Sequence, residues 1–317
     1  MSVLTLIMAT APAFPIPAVW LRLPAFAVDL LLLYLLGWLL SRIPGIPLEQ
    51  MGAMARVAGF AAACLYFALN EALSACTPGQ RLFGLRCVSA DGNPLRFTQS
   101  LLRAVLFALP WFCSGFQLPL PADALPARLL QALTIAGLGA NLYLWLLNRP
   151  AHRGYHEILS RTVVVRHIAD TPCTVLPAFS GRQMKVLAGW LCLSGLAPFL
   201  LRWDSSELPE SSVSRAQQVM LDFAQVRYAG VSEGTGVRPS RQTDRLTLKV
   251  ILKENRVLSS GLALKLAKAV VARVPEMAYR DLVEVELIYG TDLGIYSRYD
   301  RELYYFDAHL LLQTPAQ

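Results

Sequence analysis

Charged residues are scarce in this chain of 317 residues: Asp, Glu, Lys and Arg make up 16% of it, whereas apolar residues make up 55%. Together with a mean hydropathy of +0.43, this composition argues against a soluble enzyme and is typical of a polytopic membrane protein. The formal net charge of +7 arises in the first 201 residues, where arginines flank apolar stretches. A basic charge of this origin does not indicate nucleic-acid binding.

Cysteine is absent from the last third of the chain, because all 6 cysteines precede residue 202. They form no Cys-x-x-Cys pair, and small apolar packing is therefore their expected role. The sequence also lacks a His-Glu-x-x-His motif and a P-loop. We therefore expect neither an enzyme nor a metal or cofactor site.

Long apolar stretches, in contrast, are abundant. Those long enough to cross a bilayer as helices are residues 18–40, 52–74, 98–118, 128–148 and 183–201. Arginines concentrate in the loops after the second and fourth stretches, so the positive-inside rule predicts that these loops and the N-terminus are cytoplasmic. Crossing the bacterial inner membrane five times then places residues 203–317 on the periplasmic or extracellular side. No basic n-region precedes the first apolar run, so we expect no cleaved signal peptide.

Two charges lie inside the first stretch, Arg22 and Asp29. A charge in the hydrocarbon layer costs roughly 2.5–3.5 kcal/mol on insertion scales, so each needs a partner or a function. Seven residues apart, they project from nearly the same helix face. Three interpretations stay open: bracing of the helix bundle, ion handling by Asp29 with Arg22, and contact with a partner subunit. Asn70 and Glu71 of the second stretch are candidate partners.

The two arginine-rich loops carry further polar candidates. Leu85–Val88 and Thr162–Val165 are predicted to be short strands that pair as a small cover under the membrane. We expect Arg153, His156, Glu157 and Ser160 to form a hydrogen-bonded network that locks the second loop against the bundle. A metal site is not expected there, because Glu157 is the only further ligand near the histidines. Arg81, Arg86 and Arg103 are predicted to belong to the same cytoplasmic loop network, and contact of these arginines with anionic lipid head groups is also expected.

Three ordered blocks resemble the RDD family of bacterial membrane proteins. They are Arg22-x-x-Ala25-x-x-x-Asp29, the block from Thr77-Pro-Gly-Gln-Arg81 to Arg103, and the block from Arg153 to Val164. The resemblance covers about residues 15–166, and Glu157 stands where the family usually has aspartate. It implies a four-helix membrane bundle. Some members look like cation/proton antiporters and others like accessory subunits of larger complexes, so the resemblance leaves both activities open.

The segment after the fifth stretch is predicted to be a small α+β domain without disulfides. Apolar periodicity predicts helices over Val213–Tyr228 and Ser259–Val274, and strands over Arg245–Lys253, Asp281–Tyr289 and Leu303–Leu312. We expect a three-stranded antiparallel sheet packed on these helices. Tyr and Arg are enriched at interface hot spots, so Tyr296, Arg298, Tyr299 and Arg301 are candidate partner-binding residues, an ordinary solvated loop being the alternative.

These observations predict four regions: an interfacial segment 1–17, an RDD-like bundle 18–166, a linker with the fifth helix 167–202, and the external domain 203–317. The predicted function is that of an accessory or assembly subunit of a bacterial membrane complex, with a protein partner bound through residues 203–317. The alternative is a cation/proton transporter that uses Asp29 with Arg22. The sequence leaves homo-oligomerisation and the role of the fifth helix open.

Overall fold

The structure, a computed structural model, describes residues 17, 19–43, 48–116, 124–147, 152–166, 181–200, 210–238 and 241–313. A helical part ends at Leu200, and an α+β part begins at Glu210. Most of the predicted interfacial segment 1–17 lies outside the described residues, as do most of the predicted linker 167–182 and the start of the external domain.

The helical part contains the following elements in chain order: α1 (Val19–Leu40), α2 (Leu48–Met51), α3 (Ala53–Ser74), α4 (Pro78–Leu82), β1 (Leu85–Ser89), α5 (Phe97–Cys113), α6 (Leu125–Leu147), α7 (Tyr155–Leu159), β2 (Thr162–Arg166) and α8 (Gly181–Leu200). Within the described ranges, α1, α3, α6 and α8 are long and apolar enough to cross a membrane. The predicted span 98–118 is a shorter apolar helix, α5, of 17 residues. The chain is therefore a membrane protein with several apolar helices.

Small and polar residues make up the packed faces of these helices, while leucines point outward. The buried stripe of α1 is Arg22, Ala25, Asp29, Leu33 and Gly37, spaced three or four residues apart. α3 and α5 pack closely through small side chains such as Ala63, Ala104 and Ala108. Membrane helices associate by such close approach, because lipid tails are as apolar as leucine and give no hydrophobic driving force.

Strands β1 and β2 form an antiparallel ribbon in which Cys87 pairs with Val164. This confirms the predicted pairing of the two arginine-rich loops. We call this side of the bundle the ribbon end. Arg22 near the start of α1 contacts β2 there, whereas Gly37 near the end of α1 lies against the α+β part. The α+β part therefore contacts the opposite end of the bundle, the domain end.

The α+β part consists of α9 (Glu210–Leu221), β3 (Val226–Arg238), β4 (Arg241–Leu252), α10 (Ser260–Arg273), β5 (Leu282–Asp292), β6 (Ser297–Asp307) and α11 (Ala308–Gln313), with short 3₁₀ turns at Asn255–Val257 and Pro275–Met277. The strand order is β3-β4-β5-β6. β4 and β5 are parallel and the two outer pairs are antiparallel, because α10 connects β4 to β5 as a crossover. The helices cover one face of the sheet and enclose its apolar core.

Two details of the predicted domain are wrong. The sheet has four strands and is mixed, because β3 begins at Val226, inside the segment predicted as helix. The helix α9 ends at Leu221, and the β-branched and aromatic residues that follow favour a strand. The last strand lies at 297–307 instead of 303–312, because Asp307 accepts the N–H groups of His309 and Leu310 and so begins α11.

The loop that joins β5 to β6, residues 292–297, is inserted into the domain end of the bundle. We call it the hairpin tip. Arg56 of α3 forms an ion pair with Asp292, and its Nε donates to the Phe112 carbonyl at 2.7 Å. The indole N–H of Trp111 donates to the Gly294 carbonyl at 3.0 Å. Leu293 and Tyr296 are buried with Leu48 and Ala55, so the two parts of the chain share an apolar core.

Glycines of the membrane helices make room for the hairpin tip. A Cβ at Gly59 of α3 would overlap the Leu293 backbone carbonyl, and a Cβ at Gly37 of α1 would come within 2.6 Å of the Tyr296 Cβ. At Gly195 of α8, by contrast, an added Cβ would meet open space. Glycine is therefore needed at the first two positions for close approach, and at Gly195 it only lowers helix propensity.

We expect the substitution Gly59→Ala to destabilise the protein by about 1–3 kcal/mol, because the methyl group forces the hairpin tip away from α3. The matched substitution Gly195→Ala adds the same methyl group to a helix without an obstacle and is expected to be neutral or stabilising by up to ~1 kcal/mol. Thermal unfolding in mild detergent measures both. Equal stability of the two variants would contradict the proposed close packing at Gly59.

Candidate functional site

Four buried charged residues meet at the ribbon end, and we call them the charge cluster: Arg22, Glu71, Arg103 and Glu157. One Glu157 oxygen lies 3.2 Å from Arg22 Nη1 and the other 3.7 Å from Arg103 Nη2. Arg103 also pairs with Glu71, which accepts the Ser100 hydroxyl at 3.0 Å. Two cations thus face two anions, and pairing is what permits charges to be buried at this depth.

The cluster also fixes the chain around α7. Glu157 accepts the N–H of Gly154 at 2.9 Å, a contact that caps the first turn of α7. Arg22 donates to the carbonyls of His152 and Val164, and Arg153 donates to those of Glu157 and Thr162. These arginines satisfy backbone acceptors at the ribbon end of the bundle. The segment from His152 to strand β2 is therefore held to α1 by charge-assisted hydrogen bonds.

Asp29 has a separate set of partners. Its carboxylate accepts hydrogen bonds from the Tyr66 hydroxyl at 2.8 Å, the Thr77 hydroxyl at 2.6 Å and the Gly79 N–H at 2.9 Å. Thr77 and Gln80 form a capping box at the start of α4, and a Cβ at Gly79 would overlap the Ala25 carbonyl. The Thr-Pro-Gly-Gln segment is thus shaped to close over Asp29, and both carboxylate oxygens are occupied.

His156 lies beside the charge cluster as an uncharged group. Burial, together with the positive charge of Arg103, lowers its pKa to about 3. Its Nδ1 lies 3.0 Å from Asn141 Oδ1, so a neutral ring with the proton on Nδ1 donates to that amide oxygen. Burial alone would raise the pKa of Glu157, but Arg22, with His156 and Arg103, holds it below the ordinary value. The anion at Glu157 is therefore stable.

A small cavity of about 60 Å³ borders the cluster and is lined by Arg22, Asp29, Arg103, His156 and Glu157, among others. It is large enough for water, which needs a cavity of about 10–15 Å³ and two to four polar partners. Glu157 is part of this lining, and its Oε1 has no hydrogen-bond partner among the residues that the structure describes. Within the described ranges, no group of three or more His, Cys, Asp or Glu side chains could hold a metal ion.

Of the intramembrane polar residues and the loop network that the sequence predicts, the structure brings only some members together. Asn70 donates to the Tyr66 carbonyl of its own helix at 2.7 Å, whereas Glu71 joins the charge cluster. In the predicted loop network, the Ser160 hydroxyl donates to the His156 carbonyl at 2.6 Å. Arg81 is exposed and Arg86 half-buried on the ribbon segment, while Arg103 is buried in the cluster and faces away from lipid.

The four predicted partner-binding residues separate into two kinds. Tyr296 is only 9% exposed and packs edge-on against Tyr34 of α1, so it serves a contact within the chain. Tyr299 is half-buried, and burial with the nearby Asp292 charge raises its pKa to about 12. Arg298 and Arg301 are exposed on β6. The prediction that they bind a partner stays a prediction.

Several functional contacts were not foreseen from the sequence. Tyr66, Thr77 and Gly79 bind Asp29, and a signal existed for the last two in the Thr-Pro-Gly-Gln segment. No local signal connects Arg56 with Asp292. The sequence Gly230-x-Ser232-x-Gly234 also has the spacing of a nucleophile elbow. It lies within the continuous strand β3, paired with β4, and such an elbow requires a sharp turn from strand to helix.

The fold and the site together define a helical membrane protein whose bundle is closed at one end by a ribbon and at the other by an α+β domain. Residues 16–161 match the model of the RDD family. Somewhat less than half of the chain is therefore similar to the RDD family of membrane proteins, as its motifs predicted. No curated protein and no solved structure matches the chain.

We expect Glu157→Gln to destabilise the membrane part by about 3–5 kcal/mol, because the neutral amide leaves Arg22 and Arg103 buried with one anion fewer. Asp91→Asn, an exposed change in the ribbon turn, serves as the matched control and should lie within about 0.5 kcal/mol of the wild type. Thermal unfolding in detergent at neutral pH measures both. Loss of less than ~1 kcal/mol in Glu157→Gln would show that the cluster does not hold the bundle together.

We further expect the protein to lose stability as pH falls below about 6.5, the ordinary histidine pKa. The unfolded chain then binds a proton at His156 that the folded chain excludes down to about pH 3, so stability falls by up to ~1.4 kcal/mol per pH unit. Unfolding midpoints between pH 7 and pH 5 test this above the range in which carboxylates titrate. His156→Gln should flatten the profile, and an unchanged slope would contradict a neutral buried His156.

Proposed function

We propose that the protein is a non-enzymatic accessory or assembly subunit of a bacterial membrane complex. The RDD bundle anchors it, and the α+β domain docks a partner protein outside the inner membrane. The observation that carries this proposal is the hairpin tip seated in the bundle, which holds the domain in one orientation. A domain that is fixed in this way presents its outer surface at a defined height and angle above the membrane.

The orientation proposed from the arginine distribution fits the arrangement of the elements. The arginines of both ribbon segments gather at the ribbon end, which is the cytoplasmic side by the positive-inside rule. The α+β domain contacts the other end through Arg56 and Asp292. The N-terminus is then cytoplasmic, and the domain lies in the periplasm or extracellular space.

The proposed docking surface is the sheet face opposite the helices, at the edge formed by β6. We call it the open sheet face. Leu303 and Tyr305 are 51% and 54% exposed there and pair across the ladder with Glu286 and Glu284. Apolar side chains among paired charges are common at docking sites, where an aromatic anchor is surrounded by polar groups. Arg301, which pairs with Glu286 at 3.6 Å, belongs to the same surface.

The buried charges support bracing better than ion transport. Asp29 accepts three hydrogen bonds and the charge cluster pairs two anions with two cations, so each main charge is already neutralised or solvated by protein groups. A cation or proton carrier needs a group that exchanges partners in its cycle. The observation that favours the transport alternative is Glu157 beside the 60 Å³ cavity, because its Oε1 is paired with Arg103 at 3.7 Å but has no hydrogen-bond partner among the described residues.

We expect the double variant Leu303→Glu and Tyr305→Glu to lose its partner, because two like charges replace the apolar centre of the open sheet face. Ser232→Glu is the matched control, since Ser232 is exposed on β3 at the far edge of the same sheet. The measurement is in vivo cross-linking followed by mild-detergent purification from the native host. A stoichiometric partner should be present with the wild type and the control, and reduced at least about tenfold, or ~1.4 kcal/mol, in the double variant.

Retention of the partner by the double variant would place docking elsewhere on the chain. If no partner is found with any form, flux in proteoliposomes decides the alternative. Proton-coupled cation flux that disappears in folded Asp29→Asn would replace the subunit proposal with a transporter. These variants are preferable to deletion of residues 203–317, because that deletion also removes the hairpin tip from the bundle.

A further inference from the structure

A large apolar cavity of about 550 Å³ lies between α1, α5 and α6. Its wall includes Leu33 and Ala63 on the bundle side and Leu142 on α6. Its lining residues on α1, α3 and α6 belong to helices that are long and apolar enough to cross a membrane. The cavity is several times larger than the dry cavities of about 150 Å³ that are known to take up apolar molecules in protein cores.

The cavity opens sideways, toward lipid. Leu31 of α1 and Leu142 of α6, on its two sides, are 59% and 60% exposed. α1 packs against α3 and α4, whereas α6 packs against α5 and α8, so the two helices stand on opposite sides of the opening. An acyl chain of the surrounding bilayer can therefore enter without crossing a polar barrier.

Both ends of the cavity are closed by protein. The hairpin tip forms the roof through Gly294 and Ile295, and Trp111 holds the Gly294 carbonyl from the side. Phe107 and Trp145 form the floor, and the charge cluster lies beyond them. The space is thus a slot that is closed at both ends and is shorter than the bilayer. An acyl chain bound in it can extend only as far as these ends, which an open groove would not impose.

The polarity of the lining decides what fills the slot. The described lining is mostly apolar, and its polar side-chain groups are the Asn141 amide, whose Oδ1 is engaged by His156, the Tyr34 hydroxyl and the indole N–H groups of Trp111 and Trp145. A space of about 550 Å³ would hold many waters, each of which requires two to four polar partners, and these few groups cannot supply them. An empty space of this size would forfeit the dispersion contacts of its lining. An apolar molecule is therefore the occupant that fits, and in the hydrocarbon layer the abundant apolar molecules are lipid chains.

We propose that this slot is a binding site for one acyl chain of a bilayer phospholipid, with the hairpin tip as its roof. The external domain thereby completes a lipid site in the membrane part of the same chain. Contact of the chain end or glycerol region with Gly294 and Ile295 links lipid occupancy to the seating of the domain. This inference does not depend on the proposed partner.

The experiment is native mass spectrometry of the full-length protein after stepwise removal of lipid with detergent. Two variants fill the slot: Ala63→Phe from its inner wall and Leu142→Trp from its exposed rim, where the fold has no close packing to lose. Leu133→Trp is the matched control, because Leu133 is 42% exposed on α6 outside the lining. A photoreactive phospholipid with its reactive group on the acyl chain maps the contact by peptide analysis.

We expect one phospholipid per chain to be retained by the wild type and by Leu133→Trp. Its occupancy should fall about tenfold, or ~1.4 kcal/mol, in Leu142→Trp and Ala63→Phe, with cross-links at α1, α6 and the hairpin tip. Unchanged occupancy in Leu142→Trp would overturn the proposal. So would equal loss from Leu133→Trp, which indicates unspecific lipid at the surface, or retention of a detergent or free fatty acid in place of phospholipid.

Discussion

The pairing of Glu157 with Arg22 and Arg103 is the interaction on which the rest of the membrane part depends. Charges buried within a helix bundle are costly unless partners compensate them, so the cluster imposes a geometry on every element that supplies a member. Arg22 fixes α1, Arg103 fixes α5, and Glu157 fixes α7 and the ribbon beyond it. Glu71 then joins α3 to the same cluster. Four segments far apart in sequence are thereby locked at one end of the bundle.

A second junction at the other end has a different chemistry. There an apolar contact around Leu293 and Tyr296 is combined with the ion pair between Arg56 and Asp292 and with hydrogen bonds such as that from Tyr289 to Glu49. Glycines at the contact let backbone approach backbone, as in pairs of membrane helices. The apolar cavity between α1, α5 and α6 lies between these two junctions, with the hairpin tip at one end and Phe107 and Trp145 at the other.

This arrangement is the basis of the proposal that the protein positions a domain and does not move ions. Within the described residues, Asp29 accepts three hydrogen bonds, and Arg22, Arg103, Glu71 and Glu157 pair with one another. The pKa shifts of His156 and Glu157 favour a neutral ring and an anionic carboxylate near neutral pH. The contacts best support a bundle that holds the α+β domain rigidly. The open sheet face of the domain stays exposed in this arrangement.

The sequence by itself determined much of the architecture. Apolar length predicted the membrane helices, the motif blocks predicted the RDD-type bundle, and β-branched runs predicted the ribbon, because each of these signals is local. Arg22 and Asp29 were recognisable as important, because a charged residue within an apolar stretch is visible in the sequence alone. The partners of these two residues could not be predicted from the sequence. Their seven-residue spacing suggested a common environment, whereas the two side chains in fact bind different loops.

Only the tertiary structure decided which distant residues meet. Arg56 and Asp292 are separated by most of the chain, and neither is unusual within its own segment, so no spacing rule could pair them. The strand β3 was missed because glycine and polar residues obscure its alternation, and its pairing with β4 compensates through a full ladder of hydrogen bonds. Composition and periodicity determine elements, whereas contacts between elements depend on long-range packing, which a single sequence does not encode in any local pattern.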